Sequence, residues 1–467
     1  MIRDGARVRL EQDSLGTVEV PEHAEYGPQT QRAVENFSFS GRRLPKAFLR
    51  SLLSVKGAAA TVNGELGFVE PGIAVAIASA AEALQHERDL TDHFPVDVFQ
   101  TGSGTSTNMN ANEVLARRAA AIAGVDVHPN DHVNFGQSSN DVIPTAIHVS
   151  AAVCVAEDLV PAVHRLIETL RRRAEELCGV VKTGRTHLMD AMPVRFDQSL
   201  GSWAAQLEHA LKGIEFGAGA LRSVALGGTA VGTGVNTDPR FATRVCAVLS
   251  KELGVAFTAN PNPFSLMASQ DPAVALSGQL KTLAVALMKI SNDLRWMNSG
   301  PTAGLGEIEL EALQPGSSIM PGKVNPVIPE AVCMIAAEAI GNDSTITVAG
   351  QSGNFELNVM LPVIAYNLLE SIRLLANGCT ALAGRGGVGT FEVKTERVTA
   401  LLDRNPILVT ALNPIIGYAA AARIAKQAFA EQRPLLEVAL EQTDLTDVEL
   451  RRLLDAGPLT RGGLSST

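Results

Sequence analysis

A run of apolar residues spaced by alternating three- and four-residue steps constrains this chain more than any other feature. Leu280, Leu283, Leu287, Ile290, Leu294 and Met297 make the seam of a helix that packs along its whole length on other helices. Asp271 and Pro272 open it as an N-cap followed by a first-turn proline. At a rise of about 1.5 Å per residue, a helix over 272–298 spans about 40 Å. Only an extended bundle can bury such a rod. Two more seams are predicted, one through Leu159, Val163, Leu166, Leu170 and Leu177, the other through Phe355, Val359, Leu369, Ile372 and Leu375. Pro161 and Pro362 fall inside these patterns. Each should kink its helix, because proline lacks a backbone donor and crowds the preceding turn.

Composition points the same way. Of 467 residues, 46% are hydrophobic and 19% charged, the balance of a globular chain, while aromatics reach only 4%. An aliphatic, Ala-rich interior of this kind suits close-packed helices, so the expected fold class is all-α. Roughly 150 residues per domain allows about three domains. Gly and Pro cluster at 99–105, 128–144, 226–239, 300–326 and 384–389, and turn chemistry makes these the loops between helices. The expected plan is an N-terminal helical domain over 1–138, a central long-helix domain over 139–390 and a small C-terminal helical domain over 391–467. Short helical patterns at 419–431 and 446–456 fall in the last.

Charge and cysteine usage exclude several classes. Lys plus Arg number 39 against 49 for Asp plus Glu, a formal charge of −10 that argues against a nucleic-acid partner. Cys154, Cys178, Cys246, Cys333 and Cys379 lie far apart with no C-x-x-C pair, so neither a metal site nor a disulfide framework is expected. Arg3, Asp4, Arg7, Arg9 and Glu11 stand where a signal peptide needs an apolar stretch, and the most apolar long segment, around 272–291, is interrupted by Lys281 and Lys289. A cytoplasmic protein with no membrane partner is the expectation.

Most unusual polar sequence sits in the loops. In Gly316-Ser317-Ser318-Ile319-Met320-Pro321-Gly322-Lys323-Val324-Asn325-Pro326 the glycines and prolines forbid a regular helix, yet donors crowd together. Such a loop suits an anion. A P-loop is excluded because five residues separate Gly316 from Gly322 where four are needed, and Val324 stands where a magnesium-binding hydroxyl belongs. By itself the segment also fits a polar surface loop.

GSSIMPGKVNP at 316–326 closely resembles the signature loop of the fumarase/aspartase superfamily. The likeness continues through TGSGTSTNMNANEV at 101–114, HPNDHVNFGQSSND at 128–141, GRTHLMDAMPV at 184–194, GGTAVGTGVNT at 227–237 and LVTALNPIIGY at 408–418, and so covers nearly the whole chain. Within the superfamily the class II fumarate hydratases are the nearer likeness. The resemblance implies reversible addition of water to fumarate giving malate, with a small dicarboxylate as substrate and no cofactor or metal. Removing a weakly acidic proton beside a carboxylate needs a base, a cradle for the charge that builds up, and an acid for the departing hydroxyl. By resemblance Ser317 is the base, its alkoxide stabilised by backbone N–H groups of the Gly-rich loop. Lys323 and Asn325 clamp the charged carboxylate, with Ser318 and Val324 as further substrate-binding positions.

The same likeness makes His187, next to Thr186, the proton shuttle on the hydroxyl side, and Glu330 the carboxylate that pairs with it and orients its ring. Without the resemblance, His187 reads as a structural histidine in a loop between helices. Ser103, Gly104, Thr105, Ser138, Ser139 and Asn140 match substrate-carboxylate contacts, and equally fit helix caps, two roles compatible at a helix N-terminus. His128, Pro129, Asn130 and Asp131 match a secondary anion site near the entrance. The glycine run at 227–237 invites a dinucleotide reading, but no strand precedes it in the sequence pattern. The resemblance also implies a homotetramer with each active site lined by three subunits. Aspartate ammonia-lyase is the alternative: TGSGT, QSSND and PGKVNP favour the hydratase, whereas Val327-Ile328-Pro329-Glu330 looks more like the aspartase continuation.

Overall fold

The structure is a computed structural model that describes residues 7–463; Arg3 and Asp4 of the charged N-terminus lie outside them. Helices dominate, and strands occur only as five two-stranded pairs among the described residues. The fold is all-α. The longest seam forms one helix, Asp271–Met297, with Leu280, Leu283, Leu287, Ile290 and Leu294 all buried. Alternate three- and four-residue spacing placed every one of them on the same face.

The second seam is interrupted differently from a simple proline kink. A π turn, Val155–Leu159, joins the helices Ser139–Cys154 and Val160–Glu176. Its extra residue sits just ahead of Pro161 and takes up the missing donor and the ring's bulk. Leu177 falls beyond the helix end and is only half-buried. By length and composition both Ser139–Glu176 and Asp271–Met297 could cross a membrane, at mean hydropathies of 1.6 and 1.3. The 139–176 stretch is thus the more apolar, not 272–291. In each, half or more of the apolar window is buried inside the protein, as in a core helix.

The third seam is partly coincidental. Leu369, Ile372 and Leu375 are buried in the helix Leu361–Ala383, but Phe355 and Val359 precede it and are exposed. Phe355, at φ 53°, lies in the turn of a small hairpin, Gly353–Asn354 with Leu357–Asn358. Asn358 holds that turn, donating to Ala349 O at 2.9 Å and accepting from Met360 N at 2.8 Å. Pro362 is the second helical residue, where an N–H has no helical partner to lose, so the helix carries no proline kink there.

By packing, the chain divides into two compact units, each built from separated stretches: Met1–Pro161, Ala210–Ala284 and Ile335–Ala376 in one, Ala162–His209, Val285–Met334 and Asn377–Thr467 in the other. In the first, the helix Lys46–Glu65 packs on Pro71–Gln85, Ser139–Cys154 and Phe241–Leu253. In the second, Leu408, Leu412, Ile424, Val438 and Leu450 form a core of short C-terminal helices.

A strand does precede the glycine run. Ser223–Val224 pairs in parallel with Thr258–Ala259, with the helix Phe241–Leu253 between them in sequence. Two residues per strand fall far short of a dinucleotide-binding unit. The run serves another end, since Gly227 N–H and Thr229 N–H both donate to the Asp141 carboxylate at 2.9 Å.

Candidate active site

In the first unit, two helices begin side by side. Thr105–Ala123 starts after Gly104, whose φ of 73° is left-handed, and a Cβ on Gly104 would lie 2.9 Å from the Ile143 side chain. Glycine is required there on both counts. Ser138 caps Ser139–Cys154 in a capping box: its Oγ accepts from Asn140 N–H at 3.2 Å, and Asp141 accepts from Ser138 N–H at 2.9 Å. Asn108 ties the two starts together, donating from Nδ2 to Ser139 Oγ at 3.1 Å. Ser103 Oγ and Thr105 Oγ1 share a 2.7 Å hydrogen bond, and Asn140 Nδ2 donates to Ala230 O at 2.8 Å. Two helix N-termini and their hydroxyls thus lie side by side, an arrangement that favours an anion such as a carboxylate. Of the two readings, the side-chain cap is seen at Ser138, whereas the helix at Thr105 starts from Gly104 without one, Ser103 and Thr105 bonding each other instead.

Behind these helix starts lie two charges that sequence reasoning missed. Asp141 is fully buried and accepts N–H bonds from Ser138, Gly227 and Thr229; burial nevertheless pushes its pKa up to about 6. Lys56 is also fully buried, its Nζ donating to Asn134 Oδ1 at 2.8 Å and Gln137 Oε1 at 3.1 Å. Burial pulls it down to about 7, with the Asp141 charge opposing. Asp141 had a sequence signal, the S-x-x-D of a capping box. Lys56, in an Ala-rich helix, had none.

In the same unit His128 caps the π turn Pro129–Val133. Its Nδ1 accepts from Asn130 N–H at 3.3 Å and Asp131 N–H at 3.1 Å, so the 3.1 Å approach of the Asp131 carboxylate to that nitrogen is no ion pair while Nδ1 carries no proton. The imidazole and both exposed neighbours face solvent.

The second unit carries the rest. His187 lies at the tip of a β-hairpin, Val181–Thr186 with Met189–Arg195, and not in a plain loop between helices. His187 and Leu188, at φ 55° and 60°, form a two-residue turn with the positive φ values that a tight hairpin demands. Thr186 and His187 are exposed. Strand register shifts between Thr183 and Arg185, at Gly184, where a Cβ would meet Met192 O at 2.4 Å. That bulge lets Lys182 and Arg185, three residues apart, reach one carboxylate: Glu307, 1% exposed, pairs with Lys182 Nζ at 3.0 Å and Arg185 Nη1 at 2.7 Å.

The 316–326 loop closes on itself. Ser317 N–H donates to Lys323 O at 3.1 Å and Lys323 N–H to Met320 O at 3.2 Å. A Cβ on Gly316 would sit 1.4 Å from Lys323 O, so only glycine allows the closure. Inside the ring, Ser317 Oγ accepts from Ile319 N–H at 3.3 Å and Met320 N–H at 3.1 Å. These donors are placed to stabilise an alkoxide. Lys323 Nζ donates to Asn325 Oδ1 at 2.6 Å. Ser318, Lys323 and Val324 are exposed, and Asn325 and Glu330 half-buried, Glu330 in the first turn of Val327–Gly350. Among the described residues no hydrogen bond joins His187 to Glu330.

Comparison with known proteins gives the family. Residues 16–341 match the family described as Lyase, and residues 408–461 the one described as Fumarase C C-terminus. Fumarate hydratase class II 2 of Pseudomonas aeruginosa is 60% identical over 456 residues, covering 98% of this chain and 99% of that protein. Fumarate hydratase class II of Xylella fastidiosa is 57% identical over 458 residues, covering 98% and 96%. Among solved structures, recombinant class II fumarase from Schistosoma mansoni matches with a TM-score of 0.93 at 37% identity, over 97% of this chain and 99% of that one. Fumarate lyase:delta crystallin from Brucella melitensis, bound to cobalt, matches at 0.91 and 43% identity, over 97% and 100%. With relatives this similar along almost their full length, the chain belongs to the class II fumarate hydratase family.

Proposed function

We propose that the chain is a hydro-lyase that reversibly adds water to fumarate, with anti geometry, to give L-malate. The observation that carries this reading is the Ser317 hydroxyl, which accepts two backbone N–H bonds inside a glycine-closed turn beside Lys323. In the malate-to-fumarate direction, Ser317 as alkoxide takes the proton from the carbon next to one carboxylate. The electron pair left behind loads that carboxylate, whose charge Lys323 neutralises while the Asn325 amide donates a hydrogen bond to it, with Ser318 and Val324 as further substrate-binding positions of the same loop. The C–O bond then breaks, and the hydroxyl leaves as water with a proton relayed from His187, whose ring Glu330 orients. Thr186 and the two helix N-termini at Ser103, Gly104, Thr105 and Ser138, Ser139, Asn140 hold the substrate's carboxylates.

The exposed His187 tip and the exposed signature loop support assembly: each would complete its site against other copies. We read a homotetramer with sites shared by three subunits, acting in the cytoplasm, and a secondary anion site at His128, Pro129, Asn130 and Asp131. The domain plan 1–138, 139–390 and 391–467 belongs to the same reading. Incubating the purified protein with fumarate, with and without ammonium, tests the reaction. Malate formed at the same rate in both is the expected result, and aspartate as main product overturns it in favour of an ammonia-lyase. Sedimentation of the active protein as a monomer would overturn the assembly.

A further inference from the structure

We propose that Lys56 is a positioning residue for the substrate carboxylate, fixing the 134–138 turn and supplying a buried counter-charge beneath the two helix N-termini. The other buried lysine, Lys182, has Glu307 in contact at 3.0 Å. Lys56 makes no such pair: among the described residues its ammonium meets only the amide oxygens of Asn134 and Gln137. A buried cation with no ion-pair contact is costly even with the Asp141 charge acting on it, and a methionine would fill the same helix position without that cost.

Its partners show where the cation acts. Asn134 Oδ1 accepts from both Lys56 Nζ and Asn108 Nδ2, and Asn108 also donates to Ser139 Oγ. Asn134 Nδ2 donates to Gln137 O at 3.2 Å, while Gln137 Nε2 donates to Val133 O at 3.0 Å. Lys56 is therefore the hub that orients both amides and, through them, the residues entering the Ser138 cap. Asp141, the carboxylate whose charge Lys56 senses, is already held by three backbone N–H groups. A dicarboxylate bound at the helix N-termini brings the negative charge that the lysine lacks. Across roughly 10 Å of protein interior, one unit charge is worth on the order of tenfold in affinity.

This inference rests on the proposed reading of 138–140 as a carboxylate site, so its test includes a ligand that is not turned over. In Lys56→Met, KM for fumarate and malate should rise about tenfold with kcat within threefold, and calorimetric affinity for succinate should fall by a similar factor. Lys56→Arg, which keeps the charge, should recover part of both. Should Lys56→Met fail to fold, Asn134→Asp decides: it sets a carboxylate against the lysine and should weaken succinate in the same direction. Unchanged KM and succinate affinity in Lys56→Met, or equal losses in the Met and Arg variants, would overturn the inference. Wild type that binds succinate without hydrating fumarate would instead remove the proposed reaction and leave the role of Lys56 to the calorimetry.

Discussion

Replacing Glu307 by glutamine should destabilise the fold and slow the reaction together. Glu307 is 1% exposed, and its two carboxylate oxygens each hold a different cation, Lys182 and Arg185. Both cations sit on the strand that runs into Thr186 and His187. Glutamine keeps the shape and one acceptor but leaves two largely desolvated cations without a counter-ion. Breaking a buried pair in this way costs about 3–5 kcal/mol. The lower end applies because Lys182 and Arg185 retain 10% and 15% side-chain exposure and so some water. At about 2–4 °C per kcal/mol for a unit of 150–250 residues, a loss of about 3 kcal/mol lowers Tm by about 6–12 °C. A freed Arg185 lets the hairpin tip wander, so kcat should fall at least tenfold while far-ultraviolet circular dichroism at 25 °C stays native. Adding Lys182→Met to Glu307→Gln removes one stranded cation and should recover about half of the Tm loss. Differential scanning calorimetry with fumarate assays on the three proteins checks this. A Glu307→Gln protein within about 1 °C and twofold of wild type would refute the anchoring role.

Four further outcomes are expected. Ser317→Ala should lower kcat by at least about 10³-fold with succinate affinity nearly unchanged, because the hydroxyl acts on the transition state. Gly316→Ala should lower kcat by about 10²-fold or more: its Cβ, 1.4 Å from Lys323 O, opens the ring that aims two N–H groups at Ser317 Oγ, and one such donor alone is worth about 10²–10³. His187→Asn should reduce turnover less than Ser317→Ala, since bound water can relay part of the proton, and steady-state kinetics on both variants read the order. Lys56 titrates near 7 in the fold and near 10.5 unfolded. Between those values the unfolded chain binds the extra proton, so stability rises with pH across that window. Urea unfolding at pH 7 and pH 9 should show this rise in wild type and lose its Lys56 share in Lys56→Met.

How much of this was legible in the sequence depends on which physical signal each part leaves. A 27-residue helix such as Asp271–Met297 repeats its apolar face often enough that chance cannot imitate it. Five positions spread over 355–375 can, and Phe355 and Val359 belong to a hairpin. The π turn ahead of Pro161 was invisible because its only trace is a backbone hydrogen-bond shift. The strand pair carrying His187 looks like a loop in the sequence for a similar reason: its register slips at Gly184, which breaks the alternation that marks a strand.

The site divides along the same line. The loops proposed to hold the substrate leave helical geometry, and Gly104, Gly316 and Gly322 announce them: two have left-handed φ values and one admits no Cβ. Residues that act from beneath carry no such mark. Lys56 sits in a regular helix, where a lysine is ordinarily a solvated surface charge, and Glu307 precedes a loop crowded with better candidates. What sets them apart is burial, a property of the folded whole: each becomes notable only because other stretches of its unit close over it. The two are also opposite solutions to one problem. Glu307 is held by two cations and so anchors the His187 hairpin from within, whereas Lys56 is left short of an ion-pair partner under the proposed carboxylate site. A charge held in direct ion pairs keeps structure in place; one that the fold leaves without such a pair is available to a bound anion.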